Sequence, residues 1–168
     1  MITIKVGRPS ELVRNLGILN PMNVRHLRVR TYSHFWHTDD RLEDVISAME
    51  DLKNLEHFDF VGDSYPNLLD LVNFLSFLQS RSCTLKTLNM PVAPPFPGQY
   101  RIQDRSFMVN KLLHLIYNCR SIVSVTFRCK SSPNGDKDGG EDEWVRGLNA
   151  KLRSLLRNRG NREDKSHL

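Results

Sequence analysis

The sequence has few cysteines, no N-x-S/T sequon and no long apolar run. Its three cysteines, Cys83, Cys119 and Cys129, are widely spaced and form no C-x-x-C pair, which argues against a disulfide framework and a zinc site. No apolar segment approaches the roughly 20 residues that cross a bilayer, and the first residues lack the basic segment and apolar core of a signal peptide. We therefore expect a cytoplasmic or nuclear protein without a transmembrane segment.

Motifs of catalysis and of cofactor binding are also missing. The sequence contains no G-x-S-x-G, no phosphate-binding glycine loop and no H-E-x-x-H. His34 and His37 form an H-x-x-H pair close to Asp39 and Asp40, but no third ligand stands at a defined distance from them. The sequence therefore predicts a protein that is not an enzyme and that has no cofactor and no metal site.

The composition fits one globular domain. A chain of 168 residues is long enough to bury a core but short for two ordinary domains. The 39% share of hydrophobic residues and the 26% share of charged residues are typical of globular proteins. The net charge of +5 is too small to indicate, by itself, binding to nucleic acid or to an anionic membrane.

A short apolar spacing, L-x-x-L-x-L, recurs along the chain. The first positions of its copies are separated by intervals of 31, 30 and 37 residues. The copies are Val24, Leu27, Val29; Leu55, Phe58, Phe60; Leu85, Leu88, Met90; and Ile122, Val125, Phe127. Apolar residues at helical spacing precede the later copies, most clearly in the unit Arg41 to Phe60, and Ile2, Ile4 and Val6 alternate as in a strand. A helix and strand repeated at such a period predict a solenoid.

This pattern predicts an α/β solenoid with a short parallel sheet on one face and helices on the other. Residues 1–130 form the predicted repeat domain, with about four repeats and an irregular first strand. The proline-rich segment Pro91 to Tyr100 accounts for the longest interval, since it suits neither a helix nor a central strand. Residues 131–142 are a predicted flexible linker, 143–158 a basic amphipathic helix and 159–168 a disordered tail.

Over about Met1 to Cys129 the sequence resembles the leucine-rich repeat family in its long-repeat, ribonuclease-inhibitor-like form. The resemblance implies a binding surface on the strand side of the solenoid. The stretch DLVNFLSFLQSRSCTLKTLNM, Asp70 to Met90, is also similar to repeats in the C-terminal halves of fungal F-box proteins. This second resemblance implies substrate recognition of the kind performed by F-box ubiquitin-ligase adaptors.

Stacking the repeats in parallel places polar side chains in rows across the strands. Opposite charges then fall side by side, as at Arg28 and Asp59, which favours the proposed register. We expect a protein partner to bind this mixed surface, since a uniform phosphate backbone requires one sign of charge. The alternative is that these residues are solvated pairs without a partner. The candidate partner-binding residues are Arg25, Arg28, Arg30, Tyr32, Phe35, Trp36, Glu56, Asp59, Lys86 and Asn89.

The aromatic loop after the first repeated strand is part of this candidate surface. Tyr32, Phe35 and Trp36 lie close to Arg30 in sequence, and aromatic and arginine side chains are enriched in interface hot spots. The alternative is that Phe35 and Trp36 cover the edge of the core.

The C-terminal helical pattern leaves three interpretations open. It caps the end of the solenoid with Trp144 and Leu148, it docks into a partner, or it binds an acidic surface. The last possibility gives the alternative function, which is nucleic-acid or anionic membrane-surface binding. Its basic residues would be Arg146, Lys151, Arg153 and Arg157.

Overall fold

The computed structural model describes residues 1–19, 23–32, 49, 51–62, 66, 68–80, 84–92, 102–128 and 140–165. These residues contain five strands and four helices, which we number in chain order. The elements are β1 (Ile2–Val6), α1 (Pro9–Ile18), β2 (His26–Thr31), β3 (His57–Gly62), α2 (Leu68–Ser80), β4 (Thr87–Pro91), α3 (Ile102–Asn118), β5 (Ser124–Arg128) and α4 (Gly140–Lys165). The chain is α/β, as the sequence predicts.

The five strands form one open parallel sheet in the order in which they occur in the chain. The register agrees with the rows predicted from the sequence. One row joins His26, His57, Thr87 and Ser124, and the next joins Arg28, Asp59, Asn89 and Thr126. Strand β1 adds Thr3 beside Arg28. The predicted parallel sheet and its register are therefore confirmed.

The L-x-x-L-x-L spacing specifies the inner side of the sheet. All twelve of its apolar side chains are buried, at 6% exposure or less. Each of the strands β2 to β5 begins two residues after the first apolar position of its copy. The apolar residues alternate with polar ones along a strand, so they lie on a single face of the sheet.

The chain enters β3, β4 and β5 through the same backbone hydrogen bonds. Arg25 O accepts from the N–H groups of Glu56 and His57 at 2.8 and 2.9 Å. Glu56 O accepts from Lys86 and Thr87 at 2.7 and 3.1 Å, and Lys86 O accepts from Val123 and Ser124 at 2.9 and 3.2 Å. One carbonyl thus receives two consecutive N–H groups of the next strand, three times in succession.

The helices pack their apolar residues on the inner side of the sheet. Leu12 and Leu16 of α1, Phe74 of α2 and Leu112 of α3 belong to the same buried cluster as the strand residues. The rings of Phe58 and Phe74 are 5.9 Å apart and join β3 to α2. Packing on this side leaves the opposite side of the sheet to polar residues.

Helix α4 is longer than the helix predicted at 143–158. It begins at Gly140, within the predicted linker, and ends at Lys165, within the predicted tail. The physical reason lies at Arg159, which is 8% exposed and donates to the carbonyls of Tyr117 and Cys119 at 3.1 and 3.0 Å. An anchored side chain holds the second half of the helix against the domain.

Several predicted features lie outside the described residues. They include Phe35 and Trp36, Cys83, Cys129, most of the predicted helix before Leu55, most of the proline-rich segment, and residues 131–139 of the linker. Within the described part of the chain, no helix combines the length and the apolar character that a membrane span requires.

Candidate interaction surface

Polar side chains cover the side of the sheet that faces away from the helices. They alternate along the strands with the buried residues, and a further row immediately precedes the strands. We call this surface the outer sheet face. Its polar residues are Thr3, Lys5, Arg25, His26, Arg28, Arg30, Glu56, His57, Asp59, Lys86, Thr87, Asn89, Ser124, Thr126 and Arg128. Val61, Pro91 and Val123 occupy the same rows as apolar members.

At the centre of the outer sheet face, one carboxylate binds two arginines. Arg28 on β2 places Nε and Nη2 at 2.7 and 2.6 Å from Asp59 Oδ2. Arg128 on β5 places Nη2 at 3.3 Å from Oδ1, reaching across β4 beside Asn89. Asp59 is only 4% exposed as a result. We call these three residues the Asp59 cluster, and it ties together strands that are not neighbours.

A second ion cluster lies at the beginnings of the strands. Lys86 Nζ is 3.0 Å from Glu56 Oε2, and Arg25 Nη1 is 4.0 Å from Glu56 Oε1. The hydrogen bond from Lys86 is the main cause that lowers the pKa of Glu56. Burial acts in the opposite direction, and the charges of Lys86, Arg25 and His57 lower the pKa further. Arg25, Glu56 and Lys86 form the Glu56 cluster, which is far more exposed to solvent than the Asp59 cluster.

Two histidines lie between these clusters. The rings of His26 and His57 are 5.4 Å apart, and His57 Nδ1 is 2.8 Å from Thr87 Oγ1. Burial lowers the pKa of His26, and the positive charges of His57, the N-terminus and Arg28 lower it further, while Asp59 acts in the opposite direction. The neutral imidazole of His26 is therefore favoured at neutral pH.

The structure brings together seven of the ten residues predicted to bind a partner. These are Arg25, Arg28, Arg30, Glu56, Asp59, Lys86 and Asn89, all on the outer sheet face. Tyr32 follows β2, is 60% exposed and donates its backbone N–H to Val6 O at 3.2 Å. Phe35 and Trp36 lie outside the described residues, so their place relative to this surface stays a prediction.

Sequence reasoning missed Lys5 and Arg128. Both continue the alternation that placed the other residues on the outer sheet face, Lys5 beside Arg30 and Arg128 beside Pro91. Both would have been found by continuing the alternation along each strand, because Lys5 lies two residues after Thr3 and Arg128 two residues after Thr126. The contact between Arg128 and Asp59 could not be predicted in this way, because the alternation along a strand shows which face a side chain is on but not the direction in which a long side chain extends.

Helix α4 covers the edge of the sheet at β5. Val145, Leu148 and Leu152 enter the buried core. The side chain of Asn149 donates to Phe127 O at 2.8 Å and accepts from Phe127 N at 2.9 Å. This is the position expected of a cap, and it satisfies backbone groups of an edge strand.

The predicted basic residues of this helix lie on its outward side. Arg146, Lys151, Arg153 and Arg157 are exposed, whereas the neighbouring Arg159 is buried. Arg159 also donates to the carbonyls of Ile116 and Ile122. Among the basic residues of α4 whose burial the structure describes, four are exposed and Arg159 stabilises the turn after α3.

An open cleft lies between α3 and α4, with a volume of about 400 Å³. Val109, Trp144 and Leu148 form its apolar part, and Asn110 and Lys151 its polar part. Among the residues that the structure describes, no group of three or more His, Cys, Asp or Glu side chains is placed to bind a metal ion. His34 and His37 are not among those residues.

No protein-family model matches the sequence, and no curated protein is significantly similar to it. The function is therefore argued from the geometry of the outer sheet face and of α4. That geometry offers a polar surface with fixed charges on one side of the sheet and an outward basic helix at one end of it.

Proposed function

We propose that the protein is a non-enzymatic interaction module of the leucine-rich repeat type that binds a protein partner through its outer sheet face. The observation that carries this proposal is the sheet face itself, whose polar side chains span five parallel strands. Partner-binding surfaces of repeat proteins are built from equivalent positions of successive repeats. The rows of this face have that form.

The repeat interpretation has support at two levels. The parallel strands follow one another in chain order, and right-handed connections between strands in that order lie on one side of the sheet. The hydrogen bonds from one carbonyl to two consecutive N–H groups recur at β3, β4 and β5. Equal backbone geometry at intervals of 31, 30 and 37 residues is what a repeated unit produces.

The fixed side chains favour binding over a purely solvated role. Arg28 and Arg128 are held by Asp59 before any partner arrives. Long side chains lose rotamer freedom when they are immobilised in an interface, at a cost of about 0.5–1.5 kcal/mol each. Because part of this ordering already exists in the free protein, a partner meets a preorganised surface.

A narrower proposal is substrate recognition of the F-box ubiquitin-ligase type, in the cytoplasm or nucleus. It depends on the resemblance of Asp70 to Met90 to fungal F-box repeats. A ligase adaptor found with the partner in the experiment below would support it. A partner that binds without such an adaptor would leave only the general interaction function.

The alternative function is binding to an acidic surface through α4. The outward Arg146, Lys151, Arg153 and Arg157 favour it. Insertion into a membrane requires the apolar side of a helix, but in α4 that side packs Leu148 and Leu152 into the core. Nucleic acid is therefore the stronger form of this alternative. A steep fall of binding with salt, lost in the double variant Lys151→Glu and Arg153→Glu, would favour it.

The test of the main proposal blocks the outer sheet face without changing its charge. The double variant Thr3→Tyr and Thr126→Tyr adds bulk at two exposed positions beside Arg28 and Asn89. The matched control, Ala150→Tyr and Ser154→Tyr, adds the same bulk to exposed positions of α4. Each protein is used to capture partners from native lysate, and a captured protein is then purified and its affinity measured.

We expect the same partner to bind the unmodified chain and the α4 variant, and to bind the outer-face variant at least about tenfold more weakly. Equal affinity for all three proteins would refute the proposal. Circular dichroism and the thermal midpoint of each variant establish that the fold is intact.

A further inference from the structure

The charges on the outer sheet face are mainly positive. Six of its residues are basic, namely Lys5, Arg25, Arg28, Arg30, Lys86 and Arg128, and two are acidic, Glu56 and Asp59. Asp59 is 4% exposed, while the side chains of Arg28 and Arg128 are 39% and 51% exposed. A partner approaching this face therefore meets guanidinium groups and not the carboxylate that holds them.

The excess of positive charge is concentrated toward the carboxyl ends of the strands. Lys5 and Arg30 are register partners on β1 and β2, and neighbouring strands are about 4.8 Å apart. Arg28 precedes Arg30 on the same face of β2. Arg128 lies close to Arg28 because both side chains contact Asp59. We call Lys5, Arg28, Arg30 and Arg128 the basic patch. Among the described residues, Asp59 is the one carboxylate within it.

Asp59 fixes the two guanidinium groups, and within the described part of the chain its contacts occupy only some of their donors. A guanidinium has five N–H groups. The contacts with Asp59 involve Nε and Nη2 of Arg28 and Nη2 of Arg128. The remaining N–H groups of both side chains form a pair of oriented donors, and such donors bind a further carboxylate in the geometry that arginine prefers.

We propose that the basic patch binds an acidic segment of the partner protein, with aspartate or glutamate carboxylates accepting hydrogen bonds from Arg28 and Arg128. This inference rests on the proposed function and specifies the chemistry of the partner. Lys5 and Arg30 extend the attraction to neighbouring acidic residues of the same segment. Asn89 and Thr126, in register with Asp59, supply neutral hydrogen-bonding groups for the backbone of a peptide.

A polypeptide fits this surface better than a nucleic acid does. The Glu56 carboxylate lies on the same face, at the opposite ends of the strands. A nucleic-acid strand carries a phosphate at every nucleotide, so a strand crossing the sheet would bring phosphates against Glu56. An acidic peptide segment avoids this repulsion because its carboxylates need to occupy only the basic patch.

The test measures the binding of a short glutamate-rich peptide by fluorescence anisotropy, with the matching glutamine-rich peptide as its control. The charge-reversed variant Lys5→Glu and Arg30→Glu alters the basic patch without removing a side chain of the Asp59 cluster. The matched control, Arg153→Glu and Arg157→Glu, makes the same change of net charge on the outward side of α4. A neutral variant, Lys5→Gln and Arg30→Gln, replaces the reversed one if that protein does not fold.

We expect the glutamate peptide to bind the unmodified chain and the α4 variant, and to bind the patch variant at least about tenfold more weakly. The glutamine peptide should not bind. Absence of glutamate-peptide binding, or equal losses in the patch and α4 variants, would overturn the inference. So would an oligonucleotide that binds the patch more tightly than the peptide does.

The two proposals fail in different ways. A native partner that the bulky variant Thr3→Tyr and Thr126→Tyr still binds at full affinity contradicts the proposed function. A native partner that this variant releases, but that binds the charge-reversed variant unchanged, contradicts only the acidic-segment inference.

Discussion

The two ion clusters of the outer sheet face have similar members but different surroundings. Glu56 and Asp59 are three positions apart in the chain, and each contacts two lysine or arginine side chains. Glu56 Oε2 also lies 4.0 Å from Nε2 of His57. Asp59 is 4% exposed and its closest contact is 2.6 Å, whereas the Glu56 side chain is 26% exposed and its closest contact is 3.0 Å. Desolvation, and not the number of partners, distinguishes them.

This difference predicts that removing a charged partner lowers the stability of the fold much more at the Asp59 cluster than at the Glu56 cluster. An exposed ion pair contributes about 0–1 kcal/mol, because water and salt screen it. Removing one member of a buried ion pair leaves the other charge without a partner, which destabilises the fold. The Asp59 cluster should therefore stabilise the fold, and the Glu56 cluster should serve mainly as surface charge.

The largest effect is expected from Asp59→Ala. This substitution removes the carboxylate between Arg28 and Arg128, whose positive charges then repel each other. Because both arginines are partly exposed and can turn toward solvent, we expect a loss of about 1–3 kcal/mol in the free energy of unfolding, less than for a fully buried pair. Urea denaturation measures it. Asp59→Asn, which keeps the volume and an acceptor, should lose less, and a change within error for Asp59→Ala would contradict the comparison.

The two arginines of the Asp59 cluster should differ from each other. Arg28 has two contacts below 2.8 Å with Asp59, and Arg128 has one at 3.3 Å. We expect Arg28→Gln to cost about 1 kcal/mol and Arg128→Gln about 0.5 kcal/mol or less. A double-mutant cycle with Asp59→Asn isolates each pair. A larger coupling energy between Asp59 and Arg128 than between Asp59 and Arg28 would show that the shorter contact is not the more stabilising one, and would contradict this prediction.

His26 reports on the Asp59 cluster through its pKa. The lowered pKa means that the folded protein binds this proton more weakly than the unfolded chain does, so stability falls as the pH decreases below the ordinary value of 6.5. Unfolding measured between neutral and mildly acidic pH should show this loss, and His26→Gln should reduce it.

In NMR titration the midpoint of His26 should rise in Arg28→Gln and fall in Asp59→Asn. A midpoint insensitive to both would refute the electrostatic explanation.

The smallest effect is expected from Glu56→Gln, which should lower the unfolding midpoint only slightly at moderate salt, because solvent and salt screen the contacts of this half-buried group. The lowered pKa of Glu56 gives a stabilising contribution that is present above 4.5 and lost as the pH falls through the folded value. In Lys86→Gln the carboxyl titration of Glu56, followed by NMR, should move up toward 4.5. Loss of the hydrogen bond from Lys86, the main cause of the shift, explains the direction. A Glu56→Gln variant as unstable as Asp59→Ala would remove the distinction between the clusters.

The sequence predicted the sheet well because the information is local and repeated. Every apolar residue of the four L-x-x-L-x-L copies is buried, and a period of two fixes which residues share the other face. The adjacency of His26 and His57, and of Arg28 and Asp59, follows from aligning the copies. These rows make up most of the candidate site.

The parts that the sequence did not predict depend on distant contacts. The sequence places Arg159 in a predicted disordered tail, because the last residues of a domain are usually poorly ordered unless contacts hold them. Its burial depends on carbonyls 37 to 43 residues earlier in the chain. Arg128 likewise reaches a carboxylate 69 residues away. Periodicity in sequence identifies which face a residue occupies, but not where a long side chain ends.

The pairing of Asn149 with Phe127 also determines how this sheet can meet other sheets. An uncovered edge strand is a template for further strands, and it is a common starting point for polymerisation and aggregation. At β5 the amide of Asn149 occupies both backbone groups of Phe127, and α4 lies along that edge. Strand addition at this end would have to displace a helix anchored in the core. Asn149 therefore prevents a further strand from pairing with β5, and the sheet ends at this strand.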